Sequence, residues 1–236
     1  SLSEVLVSLF LSSLICSMLC EFYLVNKRQY IQMQETLARG FEQQWVSDLL
    51  ADSIRRAGFT PCLCVDKTKI IDRRVEGAFV SGLRIASSPY SLIQVNRMSE
   101  HFSNVLAINN PYQVLISKSS QVMDGHPVLI ADCSHGEIHY PLHIEQTAEG
   151  TLVTLAKPLM FHYASLAYFG AWLEEQWFIK PNAEGQATLH YKLVHTEELS
   201  ALIHSLDVVK QGQIVDVHLG LDKSQPHHLL VRVRSS

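Results

Sequence analysis

Residues 5–20 (VLVSLFLSSLICSMLC) carry no charge, and after Glu21 the apolar character resumes with Phe22-Tyr23-Leu24-Val25. A helix crossing the hydrocarbon core of a bilayer needs roughly 20 apolar residues. Residues 2–25 reach that length if Glu4 near one end and Glu21 near the other are tolerated, and Lys27 and Arg28 mark the exit from lipid. A cleaved secretory signal would show a basic start and a small-residue cleavage site, and neither is present. The opening Ser-Leu-Ser-Glu reads instead as the start of an already processed chain. Such a segment has to be buried on all sides, by lipid or by other helices.

The helical pattern continues past the charged exit. Ile31, Ala38, Phe41, Trp45, Leu49 and Ile54 recur at steps compatible with a helical period, while Gln32, Glu35, Arg39, Glu42, Gln43, Asp52 and Arg55 fill the intervening face. Pro61 is the first proline, and Gly58 follows Arg55-Arg56-Ala57 where a left-handed helix stop belongs, with basic residues in the last turn. The expectation is one continuous helix from near residue 1 to about residue 57, roughly 85 Å long at about 1.5 Å per residue. Its first half (1–27) is apolar all round; its second half (28–58) is amphipathic and offers one stripe to a domain.

That domain is residues 59–236, where the texture changes to short strand-like runs between turn residues. The candidate strands are 78–85, 105–108, 113–116, 128–131, 138–144, 151–155, 166–170, 177–180, 187–194, 214–221 and 229–233. A short helix over 196–205 is expected before residues 207–210 lead into the next strand. The fold class is therefore α+β, with the long helix packed against an antiparallel sheet. With 236 residues the chain has material for one anchor and one such domain. A formal net charge of -4 gives no electrostatic ground for nucleic-acid binding.

The domain shows no nucleophile motif, phosphate loop or Cys-x-x-Cys pair. His135, His139 and His143 are spaced by four, which on a helix would suggest a metal site. Gly136 and Pro141 interrupt the run, however, and on a strand His139 and His143 would lie about 13 Å apart. We therefore expect solvent-facing histidines there, give the His227-His228 pair less weight still, and assign no metal ligand, cofactor or catalytic residue. The adjacent acids Glu174-Glu175 and Glu197-Glu198 read as solvated turns.

The N-terminal residues resemble type IV pilins and the related pseudopilins. Mature pilins begin with Phe, then Ser or Thr, Leu, an aliphatic residue, Glu and a long apolar run. Ser1-Leu2-Ser3-Glu4-Val5-Leu6-Val7 matches if an N-methylated Phe precedes Ser1; Ser3 departs from the usual aliphatic residue. Arg28-Gln29-Tyr30 and the helix end Asp52-Ser53-Ile54-Arg55-Arg56-Ala57-Gly58-Phe59-Thr60-Pro61-Cys62 resemble PilW-type minor pilins, as does Val128-Leu129-Ile130-Ala131-Asp132-Cys133. The resemblance implies a type IV pilin-like fold and a non-enzymatic subunit that primes pilus assembly with other minor pilins near the tip. Glu4 would pair with an N-terminal amine in the filament core, where a lone carboxylate is strongly unfavourable. The implied partners are the major pilin, other minor pilins, a large tip adhesin, prepilin peptidase, the inner-membrane assembly machinery and, before assembly, membrane lipid. The implied location is the bacterial inner membrane with a periplasmic head, then the extracellular pilus.

In that oxidising setting a disulfide is expected. Of the five cysteines, Cys16 and Cys20 lie in the apolar run and read as filler. Cys62–Cys133 is the preferred bridge, tying the segment after the helix to a central strand, with Cys64–Cys133 the alternative. Two other readings keep the anchor: a pseudopilin of a type II secretion system, and a membrane-anchored periplasmic enzyme or binding protein in which Glu4 is incidental.

Overall fold

In the computed structural model, which describes residues 2–75, 78–86, 91–118, 122–163, 166–221 and 226–234, the first element is a single helix, α1, Leu2–Arg55. The chain divides into two compact units, Ser1–Val46 and Ser47–Ser236. Through residues 2–40 every side chain of α1 is exposed, apolar ones included. The helix ends as its sequence dictates: a turn after Arg55 runs into Gly58, whose φ of 72° is open to glycine and strained for other residues.

Among the described residues fifteen strands follow, most of them pairing antiparallel. The first group is β1 Lys69–Asp72, β2 Ala78–Phe79, β3 Leu83–Ala86, β4 Leu92–Asn110, β5 Gln113–Ile116, β6 Val128–Ala131, β7 His135–His139 and β8 Pro141–Gln146. Next come β9 Thr151–Leu155, β10 Tyr168–Pro181, β11 Ala187–Lys192 and β12 Thr196–Ser200, then β13 Ile203–Gln211, β14 Ile214–Leu221 and β15 His227–Arg232. The main sheet runs β2-β1-β7-β6-β10-β4-β5-β9-β8, with β3 added to β4, and with β11 and then β12 added beyond β10. The pairing of β1 with β7 is parallel. A separate antiparallel sheet has the order β13-β14-β15.

Only Tyr140 separates β7 from β8, although the two strands lie far apart along the sheet order. The sheet therefore curls back on itself. Val114, Ile116, Val128, Ile130, Val153, Leu155 and Phe169 form one buried cluster on it. Because successive strand side chains point to opposite faces, Leu129 and Ala131 of β6 leave that cluster for another, with Val65, Ile70, Met98, Ile138 and Trp172. Burial on both faces explains why Val128-Leu129-Ile130-Ala131 reads as a continuous apolar run.

Of the expected contact stripe, Ile54 is buried as anticipated, whereas Leu49 is exposed at 37%; within the unit that begins at Ser47, Leu50 and Ala51 of the helix, and Ala57 just past its end, are buried at 1% or less beside Ile54. Several expectations for the domain are corrected as well. Residues 196–205 form β12 and the start of β13, not a helix. The runs 166–170 and 177–180 belong to one strand, β10, and 105–108 is the far part of the 19-residue β4. The run 138–144 is two strands, broken at Tyr140 ahead of Pro141.

Candidate functional site

Glu4 lies in the first turn of α1, where a carboxylate is favoured by the helix dipole. Around it, Leu2, Val5, Leu6, Val7, Leu9, Phe10 and Leu11 are all more than half exposed. Ser8, Ser12 and Ser17 do not break this apolar surface, because each hydroxyl donates to a backbone carbonyl one turn back. The helix is long and apolar enough to cross a membrane, and nothing in its own unit covers that window. The expected processing site, the residue preceding Ser1, lies outside the described residues, as does Ser1 itself.

At the other end of the helix, the segment after Gly58 is tied to the sheet in several ways. Gly58 N–H donates to Asn96 O at 2.9 Å, Met98 N–H to Phe59 O at 2.9 Å, and Asn96 N–H to Gly82 O at 2.8 Å. Backbones come so close that a Cβ on Gly82 would sit 2.5 Å from Gly58 Cα. Cys62 is bonded to Cys133, just beyond β6, with Cα atoms 5.2 Å apart. Cys64 is a free, buried thiol, so the preferred pairing is the observed one.

Two buried polar clusters were not visible in the sequence. In the first, Ser53 Oγ donates to Glu175 at 2.5 Å and accepts from Trp177 Nε1 at 3.2 Å. Arg97 joins Glu175 at 2.7 Å and Glu100 at 2.7 Å; Arg56 reaches Glu100 and Asp52. Glu175 is thus a buried strand residue rather than part of a solvated turn, and Glu174 is clamped by Arg74 at 2.5 Å together with Asp72. Burial alone would lower the Arg97 pKa, but Glu175 and Glu100 hold it above its usual value. Burial and the nearby Glu175 push Tyr191, at the edge of this cluster, up to about 12. Asp52, Ser53, Arg56, Arg97, Glu175, Trp177 and Tyr191 line a small cleft of about 190 Å³, and its guanidinium groups are already engaged by carboxylates. The arrangement cross-links the helix end to β4 and β10. Glu197 and Glu198 are exposed, on β12 rather than in a turn.

The second cluster centres on Glu137, whose side chain is 0% exposed. Its carboxylate accepts from Met160 N–H and Phe161 N–H, both at 2.8 Å, and from Tyr163 Oη at 3.1 Å, with His139 Nε2 at 3.1 Å. Burial pushes the Glu137 carboxyl up; the hydrogen bonds from His139, Phe161 and Met160 outweigh it and hold it below the usual range. Burial and the Glu137 charge push the Tyr163 hydroxyl up. His139, expected in solvent, is 1% exposed. His143 is exposed on β8, a different strand, and His135 is half-buried and stacked on Phe161.

A third grouping sits on the β13–β15 sheet. Asp216 and His218 occupy alternate positions on β14, and His228 is the direct cross-strand partner of His218 on β15. The legible signal was the Asp-x-His alternation on a strand facing a second histidine across a hairpin.

No protein-family model, curated protein or solved structure matches this chain. The fold and the helix define its class: an α+β protein with one N-terminal helix long and apolar enough to cross a membrane, and a disulfide-tied, mostly antiparallel β-domain.

Proposed function

We propose that this chain is a minor pilin of a type IV pilus, of the PilW type, held by its N-terminal helix first in the inner membrane and then in the filament. The observation that carries this reading is the exposed apolar helix with a carboxylate in its first turn. Water is a poor environment for such a surface, so the segment requires lipid or a bundle of like helices. In a bundle, Glu4 is offset by an N-terminal amine, and pairing of that kind sets axial register between subunits.

On this reading the protein has no catalytic role. It primes assembly with other minor pilins and the major pilin, sits near the tip, and carries its β-domain in the periplasm before export. A disulfide within that domain suits an oxidising compartment. Prepilin peptidase and the inner-membrane assembly machinery are its processing and export partners, and a tip adhesin is its distal one.

The test is Glu4→Ala expressed in the native host. The variant stays in the inner membrane but is lost from sheared filaments; equal recovery of variant and wild type in the sheared fraction refutes the role of Glu4. N-terminal mass spectrometry adds a separate check, since an N-methylated residue immediately before Ser1 is expected. A membrane-anchored enzyme or binding protein would keep its activity after removal of residues 1–27, whereas a pilin would lose function.

A further inference from the structure

The β13–β15 sheet has two chemically distinct faces. Leu206, Val215, Val217, Leu219 and Val231 are buried at 1% or less on one side. Strand alternation places Asp207, Asp216, His218 and His228 on the other. His218 is paired in register with Asp207 of β13 on one flank and with His228 of β15 on the other.

On that outer face the ligand atoms of Asp216, His218 and His228 all lie within 4.8 Å of one another. His218 Nε2 is 3.2 Å from Asp216 Oδ2, and the two imidazole rings meet edge to face with centroids 4.1 Å apart. Asp216 Oδ1 is shielded from solvent and has no hydrogen-bond partner among the described residues. A shielded, unpaired carboxylate oxygen is unfavourable in the absence of a cation or other donor. The same-strand contact from His218 to Asp216 Oδ2 therefore leaves this oxygen unsatisfied.

We propose that the outer face of the β13–β15 sheet binds a divalent first-row transition ion through Asp216, His218 and His228, with Zn²⁺ the ion best matched to the donors. Two imidazoles and a carboxylate suit zinc, copper or nickel, whereas calcium and magnesium favour all-oxygen shells. Donors around a tetrahedral zinc at about 2.0–2.1 Å stand about 3.3 Å apart. The present spacing closes to that by small side-chain rotations, which exposed His228 is free to make. Asp207, opposite His218, is placed to orient its ring from outside the coordination sphere. Three protein ligands leave a fourth position for water or for a donor from another molecule.

The proposal is tested on the full chain in detergent micelles, stripped with a chelator and titrated with Zn²⁺ by calorimetry at about pH 7.5, where imidazoles are available as ligands. One ion per chain is expected, and His218→Ala and His228→Ala should each weaken binding at least tenfold. Co²⁺ in place of Zn²⁺ should give a visible absorption band that is lost in both variants. His143→Ala, on β8, should bind like wild type. His228 is exposed, so its replacement should leave the far-ultraviolet circular dichroism unchanged and exclude unfolding as the cause of any loss. Absence of binding at about 100 µM Zn²⁺, or unchanged affinity in His218→Ala and His228→Ala, overturns the assignment.

Discussion

Replacing both Cys62 and Cys133 by serine opens a covalent loop with a sequence separation of 71 residues. The loop-entropy relation gives about 4 kcal/mol for a loop of that length, acting through the denatured chain. For a β-domain of this size, each kcal/mol corresponds to roughly 2–4 °C in Tm, so the double variant should melt roughly 8–16 °C lower. Guanidinium unfolding of the full chain in detergent, followed by tryptophan fluorescence, measures this directly, because Trp172 and Trp177 are buried in the domain. Wild type treated with reductant should match the double variant. Cys62→Ser alone should match it as well, because Cys64 is committed to the buried side of its turn and is not the observed partner of Cys133. A loss below about 1 kcal/mol in the double variant would show that the denatured chain already keeps these segments together and would refute the loop argument. Full stability in Cys62→Ser would show that Cys64 takes over the bridge.

The remaining predictions concern the buried junctions. Glu137→Gln leaves donors from Met160, Phe161, Tyr163 and His139 competing for a neutral amide, and should destabilise by about 2–4 kcal/mol in denaturant titrations at neutral pH. Because the folded pKa of Glu137 is depressed, its contribution is fully present above the unfolded value of about 4.3 and is lost as pH falls through the folded value. The gap between wild type and Glu137→Gln should therefore narrow on acidification below about pH 4, and a gap that stays constant would contradict the assignment. Gly82→Ala places a methyl 2.5 Å from the backbone of Gly58, where no side chain can yield, and should lower stability by about 2 kcal/mol or more; neutral behaviour in a melting experiment would show that the junction is loose.

The sequence by itself determined the long helix, its stop at Gly58, the apolar run with Glu4 in its first turn, and the α+β class. These are local properties: an uninterrupted helical pattern, a residue tolerant of positive φ, and a length of apolar chain do not depend on a partner segment. Local pattern also located several strands, β5, β6 and β9 among them, where apolar runs are bounded by turn residues. It failed on the middle of β10 because Glu174 and Glu175 look like solvent-facing turn residues until Arg74, from the segment after β1, and Arg97, from β4, are brought against them. His139 misled in the same way: its burial depends on the Glu137 cluster, completed by a backbone segment more than 20 residues further along. Ile54 was placed correctly, but Leu49 was taken for its buried neighbour Leu50, because the contact face of a helix is set by which side the sheet approaches and the two residues are equally apolar. Cross-strand register, which sets His218 beside His228, arises from hydrogen bonding between two strands, β14 and β15, and not from the local pattern of either. A buried charge or a shared ligand position is a relation between two such segments, and only the tertiary structure supplies the second.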